Sequence, residues 1–170
     1  MTVPSDALHY TNEGVAVQHR DVHNMYGVLQ HKTVFEGMLE RDGGQFRPFV
    51  LTRAYYFGSQ KSGAYWTGDN RDSYQEIQST VSMLLTAGVS GLPFGGSDVP
   101  CFMGDLTSHT TVNAYQLGTF MPFFRAHSHE DNPNREPWLL PKREQDAIHA
   151  ALDLRYKLFP YMYTAFYFSS

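Results

Sequence analysis

Short apolar runs alternate along the chain with segments in which apolar residues recur at helical spacing. Four segments have the helical period, and we expect each to bury one apolar stripe. They cover 22–29, the stretch that follows Ser73, the stretch through 112–116, and 148–159. Apolar runs with strand character occur at 46–53, 63–67, 91–98 and 122–127. The alternation predicts an α/β fold.

The helix that follows Ser73 has the clearest boundary signals. Ser73 and Glu76 have the spacing of a capping box, in which each side chain bonds a backbone N–H at the helix start. Gly88 is expected to end this helix with a left-handed turn. Its predicted buried stripe consists of Ile77, Val81, Leu84 and Leu85. In the C-terminal helix, Pro160 is expected to introduce a kink or an end.

The predicted strands end in polar or charged residues, namely Arg53, Asp69, Asp98 and His127. In a (β/α)8 barrel the reactive groups stand at the C-terminal ends of the strands, where the loops meet at one mouth. A doubly wound open sheet also binds ligands beyond its strand ends, so the periodicity leaves both architectures open. Either architecture predicts one shared pocket.

Composition narrows the class of partner. The net charge is −4, and Lys and Arg are scattered among acids, which argues against nucleic acid or an anionic membrane as the main partner. No apolar stretch approaches the ~20 residues that cross a bilayer. Aromatic residues make up 15% of the chain, and they suit either stacking on sugar rings or filling a large core. Because Cys101 is the single cysteine, an intrachain disulfide is excluded.

Asp69 is a candidate general acid because it follows a predicted strand and lies near Trp66 in the sequence. An aromatic face beside a carboxyl disfavours its ionised form, so the group can keep a proton for a leaving group. Asp69 and Asn70 are equally suited to a simple turn before the helix.

Arg53 and Asp98 form a second candidate pair. A buried guanidinium needs a carboxylate or a ligand, and Asp98 could supply the carboxylate in a structural salt bridge with Arg53. Asp98 lies in a glycine-rich stretch, and such a stretch is also typical of an ordinary turn. Arg125 and His127 complete the set of candidates, and His127 could donate to a sugar hydroxyl or to a backbone carbonyl.

Two histidine pairs raise the question of a metal site. His19 and His23 are four residues apart, and His127 and His129 precede two acidic residues. Arg20 stands where a metalloprotease helix carries a glutamate, and an adjacent cation opposes metal binding. We therefore expect no metal and no other cofactor.

Several motifs resemble glycoside hydrolase family 31, in the same order and over nearly the whole chain. They are His19–Gly27 (HRDVHNMYG), Arg47–Ala54 (RPFVLTRA), Trp66–Asn70 (WTGDN), Phe94–Val99 (FGGSDV), Pro122–His127 (PFFRAH) and Arg135–Trp138 (REPW). The resemblance implies a retaining α-glucosidase that acts by double displacement on a TIM (β/α)8 barrel.

The resemblance also implies roles for individual residues. Asp69 in Trp-x-Gly-Asp-Asn is the expected general acid/base, and Arg53 and His127 are expected to bond the hydroxyls of the cleaved glucose. Asp98 is expected to line the same subsite and to hold Arg53. Trp66 and Phe102 are expected to form its apolar wall.

The sequence departs from the family at the nucleophile. The family carries it in Trp-x-Asp-Met-Asn-Glu at the end of the fourth barrel strand, and this motif does not occur in the chain. Residues 1–9 resemble the stretch just after it. We therefore expect residues 1–170 to be one partial catalytic domain, the C-terminal half of the barrel (about strands 5 to 8), and to be inactive alone.

The partners implied by the resemblance are an α-glucoside oligosaccharide and the remaining half of the barrel. Within the family the wording is closest to the endoplasmic-reticulum branch, which implies the lumen of that compartment and a regulatory β subunit. One alternative is a non-catalytic carbohydrate-binding fragment or a decayed relative. A metal-dependent hydrolase is the other.

Overall fold

The computed structural model describes residues 3–41, 43–105 and 107–169. The chain divides into two compact units, Met1–Ala64 (unit 1) and Tyr65–Ser170 (unit 2). No helix in the described ranges has both the length and the apolar character that crossing a membrane requires.

Unit 1 begins with a hairpin that leads directly into a long helix. Strands β1 (Leu8–Tyr10) and β2 (Ala16–Gln18) pair antiparallel, and helix α1 (His19–Arg41) follows. The N–H groups of His19 and Arg20 donate to the carbonyls of Ala7 and Ser5 at 2.8 and 2.9 Å. These bonds satisfy donors that have no partner inside a helix at its first turn. The predicted helix over 22–29 is confirmed and is longer at both ends.

The predicted strand over 46–53 is confirmed only near its end. Strand β3 spans Leu51–Thr52, after which a 3-10 helix covers Ser59–Lys61. Pro48 has no N–H to donate to a strand ladder, which limits pairing at the start of this run. A Cβ on Gly27 would lie 2.5 Å from Cβ of Ala54, so α1 and the residues after β3 approach closely.

A parallel sheet organises unit 2. Strand β4 spans Ala64–Trp66 across the unit boundary, and Tyr65 and Trp66 pair in parallel with β5 (Gly95–Gly96). Strand β6 (Asp98–Pro100) pairs in parallel with β7 (Arg125–His127). Within residues 95–100, the first two residues thus pair with β4 and the last three pair with β7. A Cβ on Gly96 would lie 1.9 Å from the Phe123 carbonyl oxygen, so only glycine fits there.

Helices connect these strands, as the α/β prediction requires. They are α2 (Tyr74–Val89), α3 (Ser108–Gly118) and α4 (Lys142–Ser169), with a 3-10 helix at Pro137–Leu139. The core of unit 2 consists of Val99, Ala114, Tyr115, Met121 and Ile148. It holds β6 against α3 and α4. The described strands form no closed barrel.

Helix α2 confirms its predicted start but corrects its end. Ser73 Oγ accepts a hydrogen bond from the Glu76 N–H at 3.1 Å. Gly88 lies inside the helix, and Gly91 has the positive φ, +85°, that turns the chain afterwards. The prediction for Gly88 was wrong because the helix continues through Val89 and the Ser90 N–H still donates to the carbonyls of Thr86 and Ala87, both at 3.1 Å.

The predicted buried stripe of α2 is also only partly correct. Thr80 and Ala87 are buried, and Leu84 packs against the core. Val81 and Leu85 are 39% and 67% exposed. The buried face of α2 therefore runs through the small residues Thr80 and Ala87 instead of Val81 and Leu85.

Pro160 does not end α4, which continues to Ser169. A proline removes the bond to the carbonyl four residues earlier. That carbonyl belongs to Tyr156, which is 68% exposed, so water can take the place of the missing donor.

Candidate active site

The turn after β4 carries Asp69 and Asn70. Gly68 has a φ of +89°, a conformation that favours glycine, and Asp69 follows it as an exposed residue. That Trp66 shields the Asp69 carboxyl stays a prediction. The Arg125 guanidinium carbon lies 5.0 Å from the centroid of the Trp66 ring.

Asp98 is buried and paired with Arg125. It is 1% exposed, and its Oδ1 accepts a hydrogen bond from Nη2 of Arg125 at 3.1 Å. Its other oxygen, Oδ2, is buried without a hydrogen-bond partner among the described residues. Asp98 begins β6 rather than ending a strand, because β6 pairs with β7 from this residue onward.

The surroundings of Asp98 show which charges face it. Burial raises the pKa of the Asp98 carboxyl above its ordinary value, and the hydrogen bond and charge of Arg125 oppose that rise. His127 also lowers this pKa, whereas Asp69 raises it. Asp69, Asp98, Arg125 and His127 are therefore electrostatic neighbours, and we call them the site cluster.

His127 ends β7 and faces Phe102. Their ring centroids are 5.2 Å apart, and the ring centroid of His129 lies 5.4 Å from that of Phe102. The backbone N–H of His129 and Nδ2 of Asn132 both donate to the Phe102 carbonyl, at 3.0 and 2.7 Å. The Phe102 backbone is thus held by the segment that follows β7.

Unit 2 therefore brings together most of the predicted site, namely Asp69, Asp98, His127, Trp66 and Phe102. Arg53 belongs to unit 1, where it follows β3 as an exposed residue, so its expected burial is wrong for this chain. The structure assigns Arg125 as a partner of Asp98. A role of Arg53 beside Asp98 stays a prediction.

Two residues that bond backbone groups around the site were not predicted as site residues from the sequence. Asn70 bonds the Asp98 carbonyl and the Phe102 N–H, and Arg135 bonds the carbonyls of Cys101 and Gly104. These bonds span 28 to 34 residues. Asn and Arg side chains often bond backbone groups, and this tendency is the only sequence signal for these two residues. It does not indicate which backbone group they bond.

The first histidine pair does not form a metal site. Nε2 of His19 lies 2.8 Å from Nδ1 of His23, and Nδ1 of His19 lies 2.9 Å from Nε2 of His9. The ring nitrogens of His19 are thus both engaged by other histidines, and we call these three residues the histidine cluster. Among the described residues no group of three or more His, Cys, Asp or Glu is arranged to hold a metal ion.

A cavity of about 360 Å³ opens beside His127 in unit 2. Most of segment 126–138 lines it, including the polar side chains of His127, His129 and Asn132 and the indole of Trp138. Polar groups next to an aromatic face are the kind of lining that binds a small polar ligand.

Comparison with known proteins places the chain in one family. Residues 2–165 match the family described as "Glycosyl hydrolases family 31 TIM-barrel domain". This match favours the barrel over the doubly wound sheet that the strand pattern had left open.

The curated relatives carry α-glucosidase names. The chain is 44% identical over 166 residues to "Probable glucan 1,3-alpha-glucosidase" of Oryza sativa subsp. japonica, covering 98% of this chain and 18% of the relative. It is 45% identical over 167 residues to "Neutral alpha-glucosidase AB" of Mus musculus, covering 98% of this chain and 17% of the relative. The chain thus spans less than a fifth of the length of these relatives.

Solved structures agree with this assignment. The crystal structure of the glucosidase II alpha subunit in its Glc1Man2-bound form matches with a TM-score of 0.92 and 43% identity, over 99% of this chain and 18% of that one. The expected resemblance to the endoplasmic-reticulum branch is confirmed by this match. The motifs, the α/β fold with its parallel strands and the match over 2–165 lead to one conclusion: the chain belongs to glycosyl hydrolase family 31, within its TIM-barrel domain.

Proposed function

We propose that this chain forms one side of the active site of a retaining α-glucosidase, with Asp69 as the general acid/base. The observation that carries the proposal is the site cluster of unit 2, in which Asn70 bonds the turn of Asp69 to the Asp98 carbonyl at 3.0 Å and β6 pairs with the strand that ends at His127. The motif around Asp69 and the family membership support the same role.

In the proposed reaction Asp69 protonates the glycosidic oxygen while a second carboxylate attacks the anomeric carbon. Water then releases the sugar, with Asp69 acting as base. The two carboxyl groups of such a pair lie about 5–5.5 Å apart. The family's nucleophile motif does not occur in residues 1–170, so we propose that the nucleophile is supplied by another part of the barrel.

The remaining site residues bind the sugar. We propose that His127 and Arg53 bond its hydroxyls and that Trp66 and Phe102 form an apolar wall against its ring. Asp98 lines the same subsite, and its unpartnered Oδ2 is an acceptor that a hydroxyl could use. Support for the wall comes from the 5.2 Å separation of the Phe102 and His127 rings.

The proposed substrate is an oligosaccharide or N-glycan that ends in α-linked glucose. The matched glucosidase II alpha subunit structures include a Glc1Man2-bound form, which supports this class. Another matched structure is a heterodimer of the catalytic subunit with the binding domain of a regulatory subunit. We therefore also propose a regulatory β subunit as a partner and the endoplasmic-reticulum lumen as the location.

The test compares residues 1–170 alone with the complete gene product that contains them. With an aryl α-glucoside we expect no turnover by residues 1–170. We expect turnover by the complete protein, reduced by a factor of about 10²–10⁴ in Asp69→Asn, since that is the range a general acid contributes. Asp153→Asn makes the same chemical change at a 58% exposed side chain of α4 and should leave the rate unchanged.

Two results would contradict parts of the proposal. Turnover by residues 1–170 that Asp69→Asn abolishes would show that no further carboxylate is needed. An unchanged rate in the complete Asp69→Asn protein would exclude Asp69 as the acid/base.

A carbohydrate-binding role without catalysis is the second candidate. The cavity beside His127 favours it, because its lining belongs entirely to unit 2. Calorimetric titration of residues 1–170 with glucose or an iminosugar distinguishes the candidates. A binder retains measurable affinity, whereas an incomplete catalytic site has almost none.

A further inference from the structure

Asn70 joins the turn after β4 to the segment that begins with β6. Its Nδ2 donates to the Asp98 carbonyl at 3.0 Å, and its Oδ1 accepts from the Phe102 N–H at 2.9 Å. Its backbone carbonyl also accepts from the N–H groups of Phe102 and Met103, at 3.1 and 3.0 Å. One residue thereby bonds both ends of segment 98–103.

The bonds of Asn70 also constrain Asp69, which is the residue before it in the chain. The two residues are adjacent, so their Cα atoms are held about 3.8 Å apart by the peptide bond. Asp69 itself is exposed. The Thr67 N–H donates to the Gly96 carbonyl, and the Asp72 N–H donates to the Met103 carbonyl. Together with these two bonds, the Asn70 bonds therefore place the Asp69 backbone relative to Asp98 and Phe102.

Phe102 and the residues after it are also bonded by the segment that follows β7. Nδ2 of Asn132 donates to the Phe102 carbonyl at 2.7 Å, and Nη2 of Arg135 donates to the Gly104 carbonyl at 2.9 Å. These bonds do not involve the turn after β4. Loss of the Asn70 side chain would therefore loosen the Asp69 turn, which keeps the bonds of the Asn70 backbone carbonyl, while Phe102 stays held.

The chemistry of the amide fits both partners. A carbonyl oxygen requires a donor and an N–H requires an acceptor, and a primary amide offers one of each. At position 70 an aspartate would place a carboxylate oxygen against the Asp98 carbonyl and add negative charge near Asp69 and Asp98. An alanine side chain would bond neither partner, and only the backbone carbonyl of residue 70 would still accept from the Phe102 N–H.

We infer that Asn70 is a positioning residue, which holds the Asp69 carboxyl where it can reach the oxygen of the leaving group. The inference rests on the proposed role of Asp69 as the general acid/base. It adds that the bonds from Asn70 to Asp98 and Phe102 place the acid without touching the substrate.

The test compares two substrates that differ in their need for a proton. An α-linked glucose disaccharide has a poor leaving group that must be protonated, whereas α-glucosyl fluoride releases fluoride without an acid. In the complete gene product we expect Asn70→Ala to lower kcat/KM for the disaccharide about 100-fold, the loss that a misplacement of about 1 Å can cause. For the fluoride we expect a decrease of less than about threefold, because its first step needs no proton donor.

The ratio of the two kcat/KM values is independent of how much of the enzyme is folded. Asn70→Asp serves as a second variant, since it keeps the shape and the acceptor but loses the donor, and it should shift the ratio in the same direction. Asn132→Ala is the matched control. It removes an asparagine bond to Phe102 from the other side and should lower both values equally.

The outcomes separate the inference from the proposed function. Equal losses on both substrates in Asn70→Ala and Asn70→Asp would overturn the positioning role in an otherwise active enzyme. If the unmodified protein hydrolyses neither substrate, the proposed function itself fails and the role of Asn70 falls with it.

Discussion

The histidine cluster of unit 1 and the site cluster of unit 2 both gather titratable side chains, but their polar atoms are used differently. His9, His19 and His23 bond one another, with nitrogen separations of 2.8 and 2.9 Å. In the site cluster, Arg125 bonds one oxygen of Asp98 and the other remains without a partner among the described residues. Because both ring nitrogens of His19 are engaged, this residue links the start of α1 to strand β1. The open Oδ2 of Asp98 can instead bind a ligand.

The two clusters should also respond oppositely to pH. Burial, aided by the charges of His23 and His9, lowers the pKa of His19, whereas burial raises the pKa of Asp98. A lowered histidine pKa means that acid destabilises the folded state. A raised carboxyl pKa means that acid stabilises the folded state, because the folded state then binds the proton more tightly than the unfolded state.

The largest expected effect on stability comes from breaking the ion pair of the site cluster. Arg125→Met leaves the Asp98 carboxylate, which is fully buried, without its cation. Removing one partner of a buried pair costs about 3–5 kcal/mol, and we expect about 3 kcal/mol because Arg125 is 30% exposed. Urea unfolding followed by circular dichroism measures the change.

The double variant Asp98→Asn, Arg125→Met is the control for this prediction. It removes the buried charge together with its partner, so it should be clearly more stable than Arg125→Met alone. Equal stability of the two variants would mean that Asp98 is not charged in the folded chain.

A smaller effect is expected from the pH dependence of the histidine cluster. The folded pKa of His19 is below its unfolded value of about 6.5, so its stability contribution is present above that pH and is lost as the pH falls through the folded pKa. The groups that face His19 are His9, His23 and the ring of Tyr26.

Unfolding free energies measured between pH 7 and 5 test this expectation. His19→Gln should make the loss of stability on acidification less steep. Some dependence should persist, because burial also lowers the pKa of His31. A steeper loss in His19→Gln would contradict the assigned direction.

The smallest effect is expected at an exposed pair in the same helix as His19. Lys32 and Glu36 lie 3.6 Å apart, with 60% and 55% of their side chains exposed. Lys32→Ala should change the unfolding free energy by no more than about 0.5 kcal/mol, since such pairs contribute little in water. A loss comparable to that of Arg125→Met would mean that this surface is covered in solution.

Local features were predictable because their causes lie within a few residues. Ser73 caps α2 through a bond to Glu76, three residues away, and apolar periodicity located all four of the predicted helices. The turn at Gly91 instead of Gly88 was missed because either glycine could make it. Which one does so depends on how far the helix packs against the core.

The sequence by itself determined the α/β alternation, the cap at Ser73 and the motif that marks Asp69. Tertiary structure decided that Asp98 pairs with Arg125 and that Asn70 links the turn of Asp69 to Phe102. These bonds join residues 27 to 32 positions apart. Their partners depend on which strands become neighbours in the sheet, and no short stretch of sequence contains that information.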